Sequence, residues 1–338
     1  MKKYSIKQEH IRELFRSFNN LNVLIIGDVM VDNYVWGKVT RLSPEAPVPI
    51  VAVEKKEKRL GGAANVALNV QALGANPILC SVIGADSEGL AFLELMKKQK
   101  LSQKGILKSR QRPTTIKTRI IGNHHQLVRV DEESEEDISP NETQNLLTLI
   151  NYIIHHDKID VIIFEDYNKG LLTPKLIQKV VEFSKQKSIP ICVDPKKKHF
   201  HAYKSVTLFK PNLKELKEGL KLDADELSIQ ELQKVVSQYR VKQKINTILV
   251  TLAERGMLIN TKTDKIHVPA HIRKIADVSG AGDTVISVAA LCEAMRCDPF
   301  LIVSLANLAG GLVCEEVGVV PINKNRLLEE TFRLEFVK

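Results

Sequence analysis

Residues 277–284 of the 338-residue chain read DVSGAGDT, between the polar stretch TKTDKIHVPAHIRKIA and the apolar run VISVAALCEAM. Gly280, Ala281 and Gly282 carry almost no side chain, so another group can approach their backbone N–H donors closely. The apolar run that follows predicts that they open a helix, whose first turn is a small anion hole. Asp283 falls in that turn. There a carboxylate could take a proton from a hydroxyl while the amides hold the charge on a transferring phosphoryl group, which suits phosphoryl transfer to an alcohol. The plainer alternative is a tight turn in which Asp283 only favours the helix dipole, an effect of about 0.3–1 kcal/mol.

A helix start of this kind needs a scaffold, and the chain alternates short apolar, β-branched runs with amphipathic stretches. VLIIG (23–27), PILCSVIG (77–84), VIIFED (161–166), IPICVD (189–194), VTLFKPN (206–212) and TILVTL (247–252) read as buried strands, several ending in a polar residue. Helical patterns cover 62–73, 87–98, 141–156, 173–186 and 228–240. Repetition of strand, helix and strand predicts a mostly parallel sheet covered on both faces, with ligands at the carboxyl ends of its strands. Segments 33–60, with VPIVAV, and 114–131, with TTIKTRII and HQLVRV around GNHH, break the pattern and read as extra strands forming a lid. The acidic run DEESEED (131–137) reads as a solvated loop before a helix capped near Ser139-Pro140. No repeat or linker marks a second domain.

Composition narrows the class. At 44% hydrophobic and 26% charged the chain is too apolar for disorder. The net charge of +9 could suit nucleic acid, but Lys and Arg are scattered among acidic residues and aromatics are only 5%, so an anionic small substrate explains the surplus equally well. The five cysteines, Cys80, Cys192, Cys292, Cys297 and Cys314, form no CxxC pair and read as reduced and mostly buried. The N-terminus is too polar for a signal segment, and no apolar stretch reaches a membrane span of roughly 18 residues, so a cytoplasmic enzyme is expected. His124-His125 and His155-His156 are adjacent pairs without metal-ligand spacing.

DVSGAGDT resembles the DTxGAGD signature of the ribokinase, or phosphofructokinase-B, superfamily. GDVMVDNYVWGKVTRLSPEAPVPIV, RLGGAANVALNVQALGA, EDYNKG, VDPK, PNLKE and VTLAERGM follow in that family's order, from about residue 20 to 320, and are similar to the heptose-7-phosphate kinases of lipopolysaccharide core synthesis. The resemblance implies a ribokinase-like three-layer α/β sandwich in one domain over 1–338, with a mostly parallel central sheet and a β-sheet lid from about 33–60 and 114–131. It implies ATP and Mg²⁺, with a monovalent cation as a further candidate. It also implies a homodimer paired through the lid, since an unpaired VPIVAV edge would be a liability. The bifunctional relatives carry a following nucleotidyltransferase domain, so the expectation is a stand-alone kinase whose adenylyl-transfer partner is a separate protein.

Roles then follow by resemblance. Asp283 would be the base, deprotonating the anomeric hydroxyl of the sugar phosphate, and the amides of Gly280, Ala281 and Gly282 would hold the γ-phosphate. Asn212 and Glu215 in PNLKE match an element that places Mg²⁺ and its waters; a capping box is the competing explanation, and both can hold. Gly61, Gly62 and Asn65 match the sugar-contacting segment, and Asp32 a position that binds sugar hydroxyls. RLGG departs from the usual RPGG at Leu60, which changes loop stiffness. Thr251, Glu254 and Gly256 border the ATP site, and Asn307 lies near the adenine. For the acceptor's phosphate the candidates are Lys117, Arg119, Arg129, Lys169 and Lys196, with Asp166 accepting sugar hydroxyls. The alternatives are another sugar or nucleoside kinase of the superfamily, or a non-catalytic sugar-phosphate sensor.

Overall fold

The structure, a computed structural model, describes residues 7–123, 125–222, 227–271 and 273–333; His124 of the GNHH turn lies outside them. In chain order the elements begin with α1 (Gln8–Ser17), β1 (Asn22–Gly27), β2 (Val29–Leu42), β3 (Pro49–Gly62), α2 (Ala63–Ala72), β4 (Asn76–Gly84) and α3 (Ser87–Lys98). Next come β5 (Ile106–Ser109), β6 (Ile116–Gly122), β7 (His125–Glu132), α4 (Pro140–His156), β8 (Val161–Glu165), α5 (Pro174–Lys187), β9 (Ile191–Asp194), β10 (Leu208–Phe209) and α6 (Leu213–Leu220). The chain continues with α7 (Ile229–Gln243), β11 (Thr247–Thr251), β12 (Met257–Asn260), β13 (Lys265–Val268), α8 (Ala281–Ala294), α9 (Pro299–Val313) and α10 (Lys324–Arg333).

The apolar runs build a nine-stranded sheet in the order β13-β12-β11-β10-β9-β8-β1-β4-β5, parallel from β11 to β5. β12 and β13 extend it as an antiparallel hairpin. Alternation along each strand splits the core into two layers. Val23 and Ile25 of β1 and Val161 and Ile163 of β8 pack on the face covered by α2, α8 and α9. Leu24, Ile26, Ile162 and Phe164 pack on the face covered by α4, α5 and α7. Both faces are therefore apolar, which is why these strands read as continuous hydrophobic runs.

Local sequence fixes the helix starts. Ser139 and Glu142 form a reciprocal capping box with Pro140 at the first turn of α4, as its SPNE sequence predicts. Ser228 and Glu231 repeat the device on α7, and Thr173-Pro174 opens α5. The strand expected over 206–212 contracts to Leu208–Phe209, since Pro211 has no N–H to continue the ladder. The short strand β5, the β12–β13 hairpin and the terminal helices α1 and α10 are additions that the periodicity did not single out.

Segments 33–60 and 114–131 do form a second sheet, in the order β3-β2-β6-β7. Its register is informative. Arg59, Asp32, Lys117 and Asp131 lie in one cross-strand row, and Glu57, Tyr34, Arg119 and Arg129 in the next on the same face. Both long strands are rooted in the main body: β2 starts one residue after β1 and β3 runs directly into α2.

Gly27, at the carboxyl end of β1, pairs with Glu165 of β8 so closely that a Cβ would lie 2.1 Å from the Glu165 carbonyl oxygen. Gly27→Ala should therefore destabilise the fold by about 1–3 kcal/mol, read as a lower denaturant midpoint, because the backbone on the far side has no room to give. An unchanged midpoint would refute that packing.

Candidate active site

The carboxyl ends of β1, β8 and β9, the start of α2 and the amino end of α8 converge on one cluster of buried polar groups. Gly280 is the N-cap of α8, with φ of +80°, and Ala281 opens the helix. That left-handed backbone favours glycine, and a Cβ there would crowd Asn65 at 3.1 Å from Nδ2. The Ala281 amide donates to the Val278 carbonyl at 3.3 Å and Thr284 to Gly280 at 3.1 Å. Among the described residues the amides of Gly280, Gly282 and Asp283 donate to no protein group, so the helix N-terminus keeps donors for an anion. Of the three amides expected to hold a phosphate, that of Ala281 is spent in the turn.

Asp283 is 4% exposed. Its Oδ2 accepts from Asn65 Nδ2 at 2.6 Å and its Oδ1 from the Tyr167 hydroxyl at 2.8 Å. Burial pushes its pKa up to about 6, against the lowering effect of those two donors. A carboxylate so placed is a stronger base than an exposed one, and its two partners fix its orientation.

Tyr167 is positioned in turn by Asp28. The buried Asp28 carboxylate accepts backbone N–H bonds from Tyr167 (2.9 Å), Lys169 (3.1 Å) and Leu171 (3.1 Å), pinning the loop between β8 and α5. Asp166, on the same loop, is used internally: Asn168 N–H and the Tyr203 hydroxyl each donate to it at 2.8 Å. Its carboxyl is pushed up to about 6, first by burial and then by the Asp28 charge.

Glu165 and Asp194 are paired across β8 and β9 by register. Their carboxylates and that of Asp283 offer oxygens within 4.8 Å of one another, all buried. Asp194 Oδ2 accepts from Lys210 Nζ at 2.8 Å. Asp194 Oδ1 and both Glu165 oxygens are buried without a hydrogen-bond partner. Burial, with the charges of Asp194 and Asp283, holds the Glu165 carboxyl well above the usual carboxylate range. Unpartnered carboxylate oxygens facing two other acids are a donor set that fits Mg²⁺, a hard cation served by oxygen ligands. Lys210, 2% exposed, stays charged because Asp194 and Glu215 outweigh its burial. A Cβ on Gly282 would lie 3.6 Å from its ammonium, so Lys210 adds a cation beside the α8 amides.

Glu215 is placed differently from that expectation. Its Oε2 accepts from the Asn212 amide at 2.9 Å, completing the capping box of α6, while its Oε1 is paired with Lys196. Both oxygens are engaged, which leaves the Glu165–Asp194 pair as the better metal-holding candidate. Lys196 lies 5.5 Å over the Tyr167 ring, linking α6 to the base's partner.

Of the residues expected to contact the acceptor, Asp32 is buried, ion-paired with Arg119, and rests against Gly61, where a Cβ would lie 2.2 Å from its Oδ2. At Gly62, with φ of +61°, a Cβ would lie 2.5 Å from the Asp28 carbonyl oxygen. The other expected cations are also matched. Lys117 meets Asp131 and Glu133 at 2.9 Å each, and Lys169 meets Glu133 at 2.7 Å and Glu135 at 3.1 Å. Arg129 is half exposed and bonds Asp131 at 2.9 Å. The reading of DEESEED as a solvated loop is corrected in part: Asp131, in β7, and the half-buried Glu133 serve Lys117 and Lys169, whose buried ammonium groups require counter-charges, whereas Glu135 and Asp137 are exposed. Of the residues expected to border the nucleotide, Thr251 bridges Asn212 through the backbone, Gly256 makes the turn into β12 with φ of +86°, and Glu254 is exposed. Asn307 donates to the Pro269 carbonyl at 2.8 Å, tying α9 to the segment after β13. Asp28, Glu165, Tyr167, Asp194 and Lys210 were not singled out as site residues, although four of them lie inside the EDYNKG, VDPK and FKPN stretches or their strand ends.

Residues 20–325 match the pfkB family of carbohydrate kinases. The chain is 34% identical over 321 residues to "Bifunctional protein HldE" of Geobacter sulfurreducens, covering 94% of this chain and 64% of that protein. It is 39% identical over 298 residues to the protein of the same name from Helicobacter pylori, covering 88% and 63%. The chain thus spans about 64% of the length of such relatives. Among solved structures, phosphofructokinase-2 of Escherichia coli in its tetrameric inhibited form aligns with a TM-score of 0.75 at 14% identity, covering 93% of this chain and 99% of that one. Arabidopsis thaliana ribokinase complexed with ribose and ATP aligns at 0.70 and 15%, covering 91% and 99%. No helix among the described residues is long and apolar enough to cross a membrane.

Proposed function

The chain belongs to the pfkB family of carbohydrate kinases and has a ribokinase-like fold, and from that premise we propose that it phosphorylates D-glycero-β-D-manno-heptose 7-phosphate at the anomeric hydroxyl. The product would be the 1,7-bisphosphate, an intermediate toward ADP-heptose. The observation that carries the chemical step is the buried Asp283 carboxylate beside the free amides of the α8 N-terminus.

In this reading the sugar lies under the lid, against Gly61 and Gly62, with its hydroxyls on Asp32 and Asn65. Asp283 would take the proton of the anomeric hydroxyl as that oxygen attacks the γ-phosphorus of ATP, whose bond to the bridging oxygen breaks to release ADP. Asn65 and Tyr167 hold the carboxylate in line, and a proton arriving on Asp283 neutralises a charge that burial already disfavours. The amides of Gly280 and Gly282 and the Lys210 ammonium meet the negative charge spread over the phosphoryl oxygens. Glu165 and Asp194 would hold Mg²⁺, which supplies charge neutralisation at the phosphates when bound. Thr251, Glu254, Gly256 and Asn307 would border the nucleotide, Asn212 and Glu215 shaping α6 beneath it. A monovalent cation is a further candidate cofactor.

A homodimer is proposed through the lid. Leu42, Val53, Val128 and Val130 on β2, β3 and β7 are 47–64% exposed, apolar side chains spread over a sheet whose edge strands are β3 and β7. The adenylyl transfer would be performed by a separate nucleotidyltransferase unit.

An ADP-release screen across sugars and sugar phosphates tests the assignment. Turnover should appear with heptose 7-phosphate, and be at least about a hundredfold lower in kcat/KM with unphosphorylated sugars, the scale of one or two missing charge-assisted contacts. Equal rates with ribose or fructose would transfer the chain to another branch of the family.

A further inference from the structure

The lid and the loop after β8 come from distant parts of the chain, yet each sends one lysine to the same carboxylate. Lys117 of β6 and Lys169 grip opposite oxygens of Glu133, at 2.9 Å to Oε2 and 2.7 Å to Oε1. We propose that Glu133 is an internal stand-in for the acceptor's remote phosphate: its carboxylate fills a subsite that Lys117 and Lys169 form for a phosphate monoester, and withdraws when that group arrives. This rests on the reading of the acceptor as a sugar phosphate.

Four observations carry it. The two lysine side chains are only 13% and 9% exposed, so they require a counter-charge whether or not substrate is bound. The subsite borders the proposed chemistry. Lys117 is the register partner of Asp32, and Lys169 follows two residues after Tyr167, a span of at most about 7 Å from the partner of Asp283. Each lysine also keeps a second acid, Asp131 or Glu135, so loss of Glu133 leaves neither ammonium bare. Finally, Glu133 is the first residue beyond β7, in a stretch without ladder bonds, and can turn away without breaking the sheet. Arg112, bonded to the Ser134 and Lys169 carbonyls, holds the two flanking backbones together.

The electrostatics make the exchange selective. A phosphate monoester carries about −1.5 to −2 near pH 7 and three acceptor oxygens, against a single charge on Glu133. It can replace the carboxylate at a gain, whereas the uncharged end of a plain sugar cannot. Glu133 thereby becomes a determinant of acceptor class, acting by occupancy.

The test uses inorganic phosphate as probe and the full chain. Calorimetric titration at constant ionic strength should show Glu133→Gln, isosteric and in a non-ladder segment, binding phosphate about tenfold more tightly than the parent, the scale of one competing charge-assisted contact. The double variant Glu133→Gln/Lys117→Met should lose that gain. In turnover, Glu133→Gln should lower KM for the sugar phosphate by a similar factor and leave KM for ATP within about twofold. Unchanged phosphate affinity in Glu133→Gln, or a gain that survives removal of Lys117, would overturn the proposal. Phosphate binding needs no turnover, so inactivity on every sugar phosphate would count against the acceptor assignment and leave this measurement to judge Glu133.

Discussion

Asp283→Asn should lower kcat by about 10²–10⁴ while leaving the protein folded and able to bind ATP. The two halves of that result come from the same geometry. An asparagine at this position can accept from Asn65 and donate to the Tyr167 oxygen, so the neighbouring groups remain bonded. A buried carboxylate with a burial-raised pKa is also removed, so the melting temperature should hold or rise. What is lost is the carboxylate, bonded to both Asn65 and Tyr167, that can take up a proton. Calorimetric ATP binding and turnover measured side by side separate the effects. Near-normal turnover would remove Asp283 from the role of base and with it the proposed mechanism.

Glu165→Gln should produce opposite changes in two measurements. In metal-free protein the substitution relieves a buried acid that has no hydrogen-bond partner and faces two carboxylates, so stability should rise by about 1–3 kcal/mol at neutral pH. The sign follows from linkage. The folded pKa of Glu165 is raised above its ordinary value of 4.5, so the folded state keeps a proton that the unfolded chain releases. Stability present below about pH 4.5 is therefore lost as pH climbs toward the raised value, and the Gln variant should not show that loss. Conversely, added Mg²⁺ should raise the melting temperature of the parent and do so much less in the variant. If Mg²⁺ stabilises both chains equally, Glu165 does not hold the metal.

Much of the architecture was legible because it rests on local rules. Alternating strand and helix patterns, Ser139-Pro140, and the bare GAGD turn each carry their own instruction in a few residues, and the two irregular segments were identifiable as extra strands. The candidate site was legible where bare backbone itself is the feature, as at Gly280, Gly282 and Gly62. It was not legible where function depends on register. Glu165 and Asp194 each close an apolar run and read as ordinary strand ends; only the parallel pairing of β8 with β9 turns them into neighbours. Lys210 was hidden in the same way, as the residue just beyond β10, whose partner acid lies on β9. The acidic run 131–137 looked solvated because a sequence cannot show two buried ammonium groups approaching from elsewhere in the chain. Glu215 shows a mixed case: one oxygen completes the helix-capping box that a short motif always allows, and the other pairs with Lys196 from outside the motif.

The passage of β3 into α2 without an intervening loop has a consequence for economy. Asn65, which touches Asp283, stands on the first turn of α2, three residues beyond the last residue of a 14-residue strand of the lid. A shift at that strand's root is passed to the base's own partner with no slack to absorb it. If the sugar seats against the root of β3 and Asp283 is the base, as proposed, seating and alignment of the proton acceptor would be mechanically one event, and a nucleotide waiting alone would find the carboxylate unaligned. Such a linkage would protect ATP from being wasted on water.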